Sequence, residues 1–97
     1  MFAIEFTPEA VGDLRSFKKR EQRRILDGIE GQLNLQPIQE SRNRKRLRPN
    51  DLAEWELRID KYRVFYDVAV ESRIVKIEAI GHKKANRLYI REREYKL

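Results

Sequence analysis

Residues 54–67 read EWELRIDKYRVFYD, and this stretch decides the fold. Apolar and polar side chains alternate up to Asp60-Lys61 and alternate again beyond it. Alternation with a period of two is typical of a half-buried β-strand, and two polar residues between two such runs predict a tight turn. With this turn Ile59 pairs with Tyr62, and both runs place their apolar residues on one face, with the exception of Phe65. We therefore predict a β-hairpin with an apolar face and a charged face.

The charged face of this hairpin opposes like charges. The register places Arg58 opposite Arg63. It also places Glu54 opposite Asp67. Directly opposed like charges destabilise a sheet. Either diagonal contacts with Glu56 relieve the repulsion, or the two arginines jointly receive an anion such as a phosphate.

Charge dominates the composition of the chain. Of 97 residues, 39% are charged, and 22 Lys and Arg against 16 Asp and Glu give a net charge of +6. Such an excess in a small domain predicts a polyanionic partner, which is nucleic acid, an acidic membrane face or an acidic protein. We expect one domain over residues 1–97, because this length suits a single modest core.

The residue types that are scarce narrow the function further. The chain has no cysteine and one histidine, so disulfides, thiolate metal sites and a His-based metal site within one monomer are excluded. No apolar run approaches the roughly 20 residues of a membrane span, and no signal peptide is visible. We expect a cytoplasmic protein that uses neither a metal nor another cofactor.

A strand and two helices are predicted before the hairpin. Residues 2–6 alternate as a short strand, and Thr7-Pro8 then fits an N-cap followed by proline at the first helical position. A second helix is expected from about residue 21 to residue 35. Its apolar face comprises Ile25, Ile29 and Leu33, with Leu26 beside them.

Basic residues concentrate in two segments. One decorates the helices and is either a solvated surface or a phosphate-contacting ridge, made of Arg15, Lys18, Lys19, Arg20, Arg23 and Arg24. The other is 42–48, where five of seven residues are basic, within a loop or irregular strand over 38–50. Such density is costly without an anionic partner. We therefore predict that this second segment binds an anion through Arg44, Lys45, Arg46 and Arg48.

A third strand is predicted over residues 74–80. With Glu71-Ser72 as its turn, Arg63 pairs with Ile80, so that His82 emerges near Arg63 and Lys83 lies at the same end. The tail, residues 85–97, forms either a short helix or a strand pair. The β-α-α-β-β-β order predicts an α+β fold, a small antiparallel sheet with a two-helix hairpin on one face.

The residues gathered at this end suit metal-independent RNA cleavage. That reaction needs a base for the 2′-hydroxyl, an acid for the 5′-oxygen and cations for the charged transition state. The imidazole of His82 suits proton transfer near neutral pH, although a lone histidine after a strand-ending glycine more often has a structural or incidental role. Glu54 or Glu56 could be the base. The cations that would hold the phosphate are Arg58, Arg63 and Lys83.

Four motifs are spread over most of the length of the chain: IEFTPEA (4–10), WELRI (55–59), YRVFYDV (62–68) and IGHKK (80–84), followed by Tyr89. Together they resemble the RelE/ParE superfamily of bacterial toxins. The resemblance implies a RelE-like fold and the toxin of a type II toxin–antitoxin pair. RelE-like members of that superfamily cut mRNA in the ribosomal A site without a metal. ParE-like members share the fold, poison DNA gyrase and lack the nuclease residues.

The resemblance also implies roles for single residues. Three RelE site positions fall on Arg63, Lys83 and Tyr89. The RelE residue that matches Lys83 is an arginine, so the charge is kept and the geometry is not. Where RelE has two lysines on its second strand, this chain has Glu54 and Glu56. A nuclease of this type would use one of these carboxylates as base, and His82 or Tyr89 as acid.

We therefore predict a ribosome-dependent mRNA endoribonuclease that inhibits translation. Arg63 and Lys83 stabilise the scissile phosphate, Arg58 assists in binding, and the 42–48 segment contacts ribosomal RNA. The predicted partners are a cognate antitoxin, which would form a heterotetramer with this chain, and the ribosome with its mRNA. Two alternatives stay open: a gyrase inhibitor without nuclease activity, and an inactive relative that binds only its antitoxin.

Overall fold

The computed structural model describes all residues, 1–97, and shows two helices and seven strands in the predicted α+β class. The tail forms a strand pair, which is one of its two predicted conformations. Neither helix has the length and hydrophobicity required to cross a lipid bilayer. In chain order the elements are β1 (Ala3–Phe6), α1 (Pro8–Arg15), α2 (Lys19–Leu33), β2 (Arg44–Arg46), β3 (Trp55–Ile59), β4 (Tyr62–Ala69), β5 (Ile74–Lys84), β6 (Arg87–Ile90) and β7 (Arg93–Tyr95).

Nearby residues determine where α1 begins and which face of α2 is buried. The hydroxyl oxygen of Thr7 accepts a hydrogen bond from the Ala10 backbone N–H at 3.1 Å, and Pro8 follows at the first helical position. The predicted apolar face of α2 is buried against the sheet through Ile25, Ile29 and Leu33. Leu26, expected beside that face, is 39% exposed and lies at its edge.

The sheet follows the order β2-β3-β4-β5-β6-β7 with antiparallel pairing throughout. β1 is the exception, because it pairs with β5 in parallel. β5 has eleven residues, and β1 and β6 both pair with it, at opposite ends. This long strand therefore joins the start of the chain to its tail.

The hairpin formed by β3 and β4 has the predicted register. Ile59 pairs with Tyr62, Arg58 with Arg63, and the strands meet at Asp60-Lys61. Asp60 adopts a φ of 52°, in the left-handed region that a tight hairpin turn requires. Two independent alternations thus fixed the pairing of β3 and β4 correctly.

The predicted register of the third strand is wrong by one residue at its functional end. Arg63 pairs with Gly81, not with Ile80, because a β-bulge leaves Glu78 without a partner on β4. One extra residue reverses the face on which every later side chain lies. His82 consequently pairs with Tyr62 and lies on the helix side of the sheet.

Two hydrophobic clusters occupy the two faces of the sheet. The larger one joins the helices to one face of β3, β4 and β5. The smaller one lies on the face away from the helices, here called the outer face, and consists of Ala53, Phe65, Ala79, Leu88 and Ile90. The hairpin face predicted to be charged is therefore partly apolar, because β6 and β7 supply a second core that covers Phe65.

Candidate functional site

Five of the charged residues that were predicted to act in catalysis or to bind RNA lie on the outer face of the sheet. Lys45 pairs with Glu56 across β2 and β3, and Arg58 pairs with Arg63 across β3 and β4. Gly81 lies opposite Arg63, so Lys83, two residues further along β5, is on the same face. We call this set the outer cluster: Lys45, Glu56, Arg58, Arg63 and Lys83.

Arg63 is the most constrained cation of the outer cluster. Its side chain is buried, and its Nη1 donates hydrogen bonds to the backbone carbonyls of Asp60 at 2.8 Å and Tyr62 at 2.9 Å. Burial, and then the charge of Arg58, lower the pKa of Arg63, while Glu56 opposes this effect. The two hydrogen bonds hold the guanidinium in one orientation, close to the positive charge of Arg58. This is the arrangement expected of a residue that binds an anion.

A shallow pocket of about 340 Å³ opens beside the outer cluster. Four cationic and two anionic side chains line it, so its surroundings are net positive. Sequence reasoning missed part of this lining, because residues 85–97 had no assigned conformation. The predicted residues in the wall are Lys45, Glu56 and Lys83, and the missed ones include Arg87, Glu94, Tyr95 and Lys96.

His82 and Tyr89 do not join Arg63 and Lys83, which corrects the predicted arrangement. They pair with each other across β5 and β6 and their rings stack at 5.7 Å. Phe17, in the turn between α1 and α2, meets His82 edge-on at 6.2 Å, so both rings lie on the helix side. The bulge at Glu78 is the physical reason, since it reversed the face of His82.

The helix side has its own groove next to His82 and Tyr89, of about 830 Å³. Tyr62 donates from its hydroxyl to the Glu21 carboxylate at 2.6 Å. Burial and then this hydrogen bond raise the pKa of Tyr62 to about 12. The same hydrogen bond is the largest cause that lowers the pKa of Glu21. The hydrogen bond favours the protonated form of Tyr62 and the ionised form of Glu21. These two groups are therefore poorly suited to exchange protons near neutral pH.

Arg44 is not available to bind RNA, in contrast to its prediction. The residue is 8% exposed, and its guanidinium donates to the Gln39 carbonyl at 2.9 Å and to Gln32 Oε1 at 2.6 Å. Arg44 therefore fastens the segment before β2 to α2. Its neighbours Lys45, Arg46 and Arg48 remain exposed.

Glu54 lies outside the outer cluster. It precedes β3, and its carboxylate approaches Arg46 Nη2 at 3.5 Å with both side chains more than half exposed. The opposition predicted between Glu54 and Asp67 is also relieved, because the Asp67 carboxylate accepts the Glu54 backbone N–H at 2.8 Å. Of the two predicted carboxylate bases, only Glu56 stands among the cations.

No three histidine, aspartate or glutamate side chains converge as a metal-ligand set. The outer cluster instead combines one carboxylate with four cations on a rigid sheet. Chemically, this arrangement can bind a phosphate and accept a proton beside it.

Two solved structures with this architecture come from toxin–antitoxin complexes. The chain superposes with a TM-score of 0.73 and 26% identity on the toxin–antitoxin complex RelBE2 of Mycobacterium tuberculosis, over 84% of this chain and 98% of that one. For the archaeal RelE–RelB complex of Pyrococcus horikoshii OT3 the TM-score is 0.68 at 21% identity, over 87% and 97% of the chains. The fold is therefore that of the RelE-like toxins.

A family model identifies the chain more closely. Residues 4–87 match the model of the ParE toxin of type II toxin–antitoxin systems, parDE. The chain belongs to this family within the RelE/ParE superfamily, and it is the toxin of a type II toxin–antitoxin system. No curated protein sequence matches it.

Proposed function

We propose that this toxin is a metal-independent endoribonuclease that cuts mRNA on the ribosome and thereby inhibits translation. The observation that carries the proposal is the outer cluster, in which the Glu56 carboxylate lies across from Lys45 and shares one face with Arg58, Arg63 and Lys83. A carboxylate among cations on an exposed face suits a phosphodiester that must be bound and deprotonated at an adjacent hydroxyl.

The cleavage step assigns a role to each group. Glu56 removes the proton of a ribose 2′-hydroxyl, whose oxygen then attacks the neighbouring phosphorus. The new bond joins O2′ to phosphorus and the broken bond joins phosphorus to O5′, which leaves a 2′,3′-cyclic phosphate. Arg63 and Lys83 stabilise the negative charge of the transition state. The leaving O5′ takes a proton, and Tyr95 is the phenol that lines the same pocket.

Two further surfaces support binding of RNA and of an antitoxin. Lys45, Arg46 and Arg48 are exposed in and after β2, the edge strand next to β3, and supply positive charge where the RNA backbone would continue. The two superposed proteins were each solved with an antitoxin. We infer that this chain also binds a cognate antitoxin, which is acidic and assembles with it as a heterotetramer.

The decisive experiment measures mRNA cleavage by three variants of the chain in a translating extract. Glu56→Gln removes the base and should slow mRNA cleavage by roughly 10²–10⁴-fold. Lys83→Ala should slow cleavage by about 10²–10³-fold through lost charge stabilisation. Lys84→Ala is the control, because Lys84 is exposed and points to the opposite face of β5. Primer extension on the mRNA measures the cleaved fraction, and unchanged cleavage by Glu56→Gln contradicts the proposal.

A second candidate function is inhibition of DNA gyrase without RNA cleavage. The match to the ParE family model favours it, and so does the separation of His82 and Tyr89 from Arg63. Expression of the chain alone, with protein and DNA synthesis followed separately, discriminates between the two. Early arrest of protein synthesis supports the nuclease, whereas DNA-damage signalling with translation intact supports gyrase inhibition. Absence of any toxicity indicates a relative that only binds its antitoxin.

A further inference from the structure

The connection between α1 and α2 carries a second strongly positive surface. Five exposed cationic side chains cluster there, and none of them takes part in an ion pair. Their neighbour Arg24 differs, since it pairs with Asp60 at 2.9 Å. We call this surface the basic elbow; its members are Arg15, Lys18, Lys19, Arg20 and Arg23.

The charged residues of α2 are arranged in the opposite order to the one that stabilises a helix. A helix has partial positive charge at its N-terminus, so acidic residues stabilise the first turns and basic residues the last. α2 begins with Lys19 and Arg20, contains Asp27 and Glu30 in its second half, and has no basic residue in its last turn. The basic elbow therefore costs stability, and helix formation does not account for it.

Glu21, the one acidic residue within 15–23, does not neutralise the basic elbow. Glu21 lies in the first turn of α2, but its carboxylate already accepts the Tyr62 hydroxyl and the Lys18 backbone N–H. Its ion pair is with Lys61 of the hairpin, at 3.7 Å, and of the elbow only the Lys18 charge lowers the pKa of Glu21. The positive charge is consequently left for an external anion.

The composition of the basic elbow distinguishes between classes of partner. Protein interfaces depend on buried apolar and aromatic anchors, whereas a phosphate backbone is bound by charge and N–H donors alone. No exposed large apolar side chain lies between residues 15 and 23. We propose that the basic elbow binds the phosphate backbone of folded RNA, on the helix side of the sheet and apart from the outer cluster.

This assignment rests on the proposed function, because the folded RNA in question is the ribosomal RNA around the bound mRNA. The two surfaces then have separate tasks. The basic elbow supplies affinity for the large RNA, and the outer cluster acts on the single strand presented to it.

The test uses the full chain with Glu56→Gln, so that bound RNA is not cut, and isolated small ribosomal subunits as the probe. Adding Arg20→Gln and Arg23→Gln should weaken binding on the order of 10–30-fold at physiological salt. It should also reduce the slope of log affinity against log salt by about 1.5. The matched control is Lys76→Gln with Lys84→Gln, which removes the same charge from exposed positions elsewhere and should bind as the parent does.

Thermal unfolding of the same variants separates binding from structure. Since basic residues at the start of α2 oppose its dipole, the elbow variant should melt at an equal or higher temperature than the parent. Equal weakening by the elbow and control variants overturns the proposal, as does a lower melting temperature that accounts for the lost binding. Intact ribosome binding with lost antitoxin binding also overturns it, in favour of an acidic protein. Cleavage by the chain with Glu56 intact tests the nuclease separately.

Discussion

Tyr95 and Tyr89 offer the same phenol from opposite faces of the sheet. Tyr95 lines the pocket beside the outer cluster, whereas Tyr89 stacks on His82 on the helix side. If Tyr95 protonates the leaving oxygen, Tyr95→Phe should slow RNA cleavage by at least 10²-fold, and Tyr89→Phe should leave the rate unchanged. Both changes remove one hydroxyl, so single-turnover cleavage compares them directly. The reverse order of rates would assign the acid to the helix side.

Glu78, the residue of the bulge, makes the stability of the fold depend on pH. Burial is the main cause that raises its pKa from 4.5 to about 7, and the neighbouring Asp67 carboxylate adds to this shift. Lys76 lowers this pKa, and Glu9 raises it slightly. The folded state thus keeps a proton that the unfolded chain has released.

The sign of this dependence follows from proton linkage. The stabilising contribution is complete below pH 4.5 and is lost as the pH rises through about 7. Glu78→Gln, which is always neutral, should therefore unfold at higher urea concentration than the wild type at pH 8 and at a similar concentration at pH 5. Glu71→Gln, in an exposed turn, is the control. A wild-type midpoint that rises between pH 5 and pH 8 would contradict the assignment, provided the control does not share the rise.

The close approach of β5 and β6 requires that residue 81 is a glycine. A Cβ on Gly81 would lie 2.4 Å from the Tyr89 carbonyl oxygen and 2.7 Å from Ile90 Cγ1. Since a backbone atom cannot move aside cheaply, Gly81→Ala should lower the free energy of unfolding by about 1–3 kcal/mol.

Gly12 is the matched control for this effect. It lies in α1 with nothing within 4 Å of its added Cβ, so Gly12→Ala should raise the free energy of unfolding by roughly 0.5–1 kcal/mol. Urea unfolding at pH 7 measures both changes. A stable Gly81→Ala variant would mean that β5 and β6 separate more easily than their contact suggests.

The elements also show why the sequence predicted some pairings and not others. The β3–β4 register followed from two long alternations, because each run fixes its own buried face. The bulge was missed because Ile77, Ala79 and Ile80 fit either face of a strand; the signal was the adjacent pair Ala79-Ile80, which breaks the alternation. Arg44 was misassigned because its partners, Gln32 and Gln39, come from another element and a loop. Local patterns carry no information on such contacts.

Two hydrophobic clusters stabilise the molecule, and the candidate site lies next to the smaller one. Ile90 belongs to the outer-face cluster together with Leu88, which lines the pocket. Ile29 belongs to the helix-side cluster, which does not contact the outer cluster's pocket. Each side chain is almost fully buried, so truncation to alanine should cost about 2–5 kcal/mol in either place.

The two truncations should nevertheless differ in activity. Ile90→Ala loosens the β6–β7 hairpin, which carries Tyr95 and the wall of the pocket, so RNA cleavage per folded molecule should fall. Ile29→Ala leaves the outer face intact, and its folded fraction should cleave at the wild-type rate. The measurement is single-turnover cleavage at low temperature, corrected for the folded fraction from circular dichroism. Equal loss in both variants would show that the sheet transmits damage from one core to the other, and full activity of Ile90→Ala would place the chemistry elsewhere than the outer face.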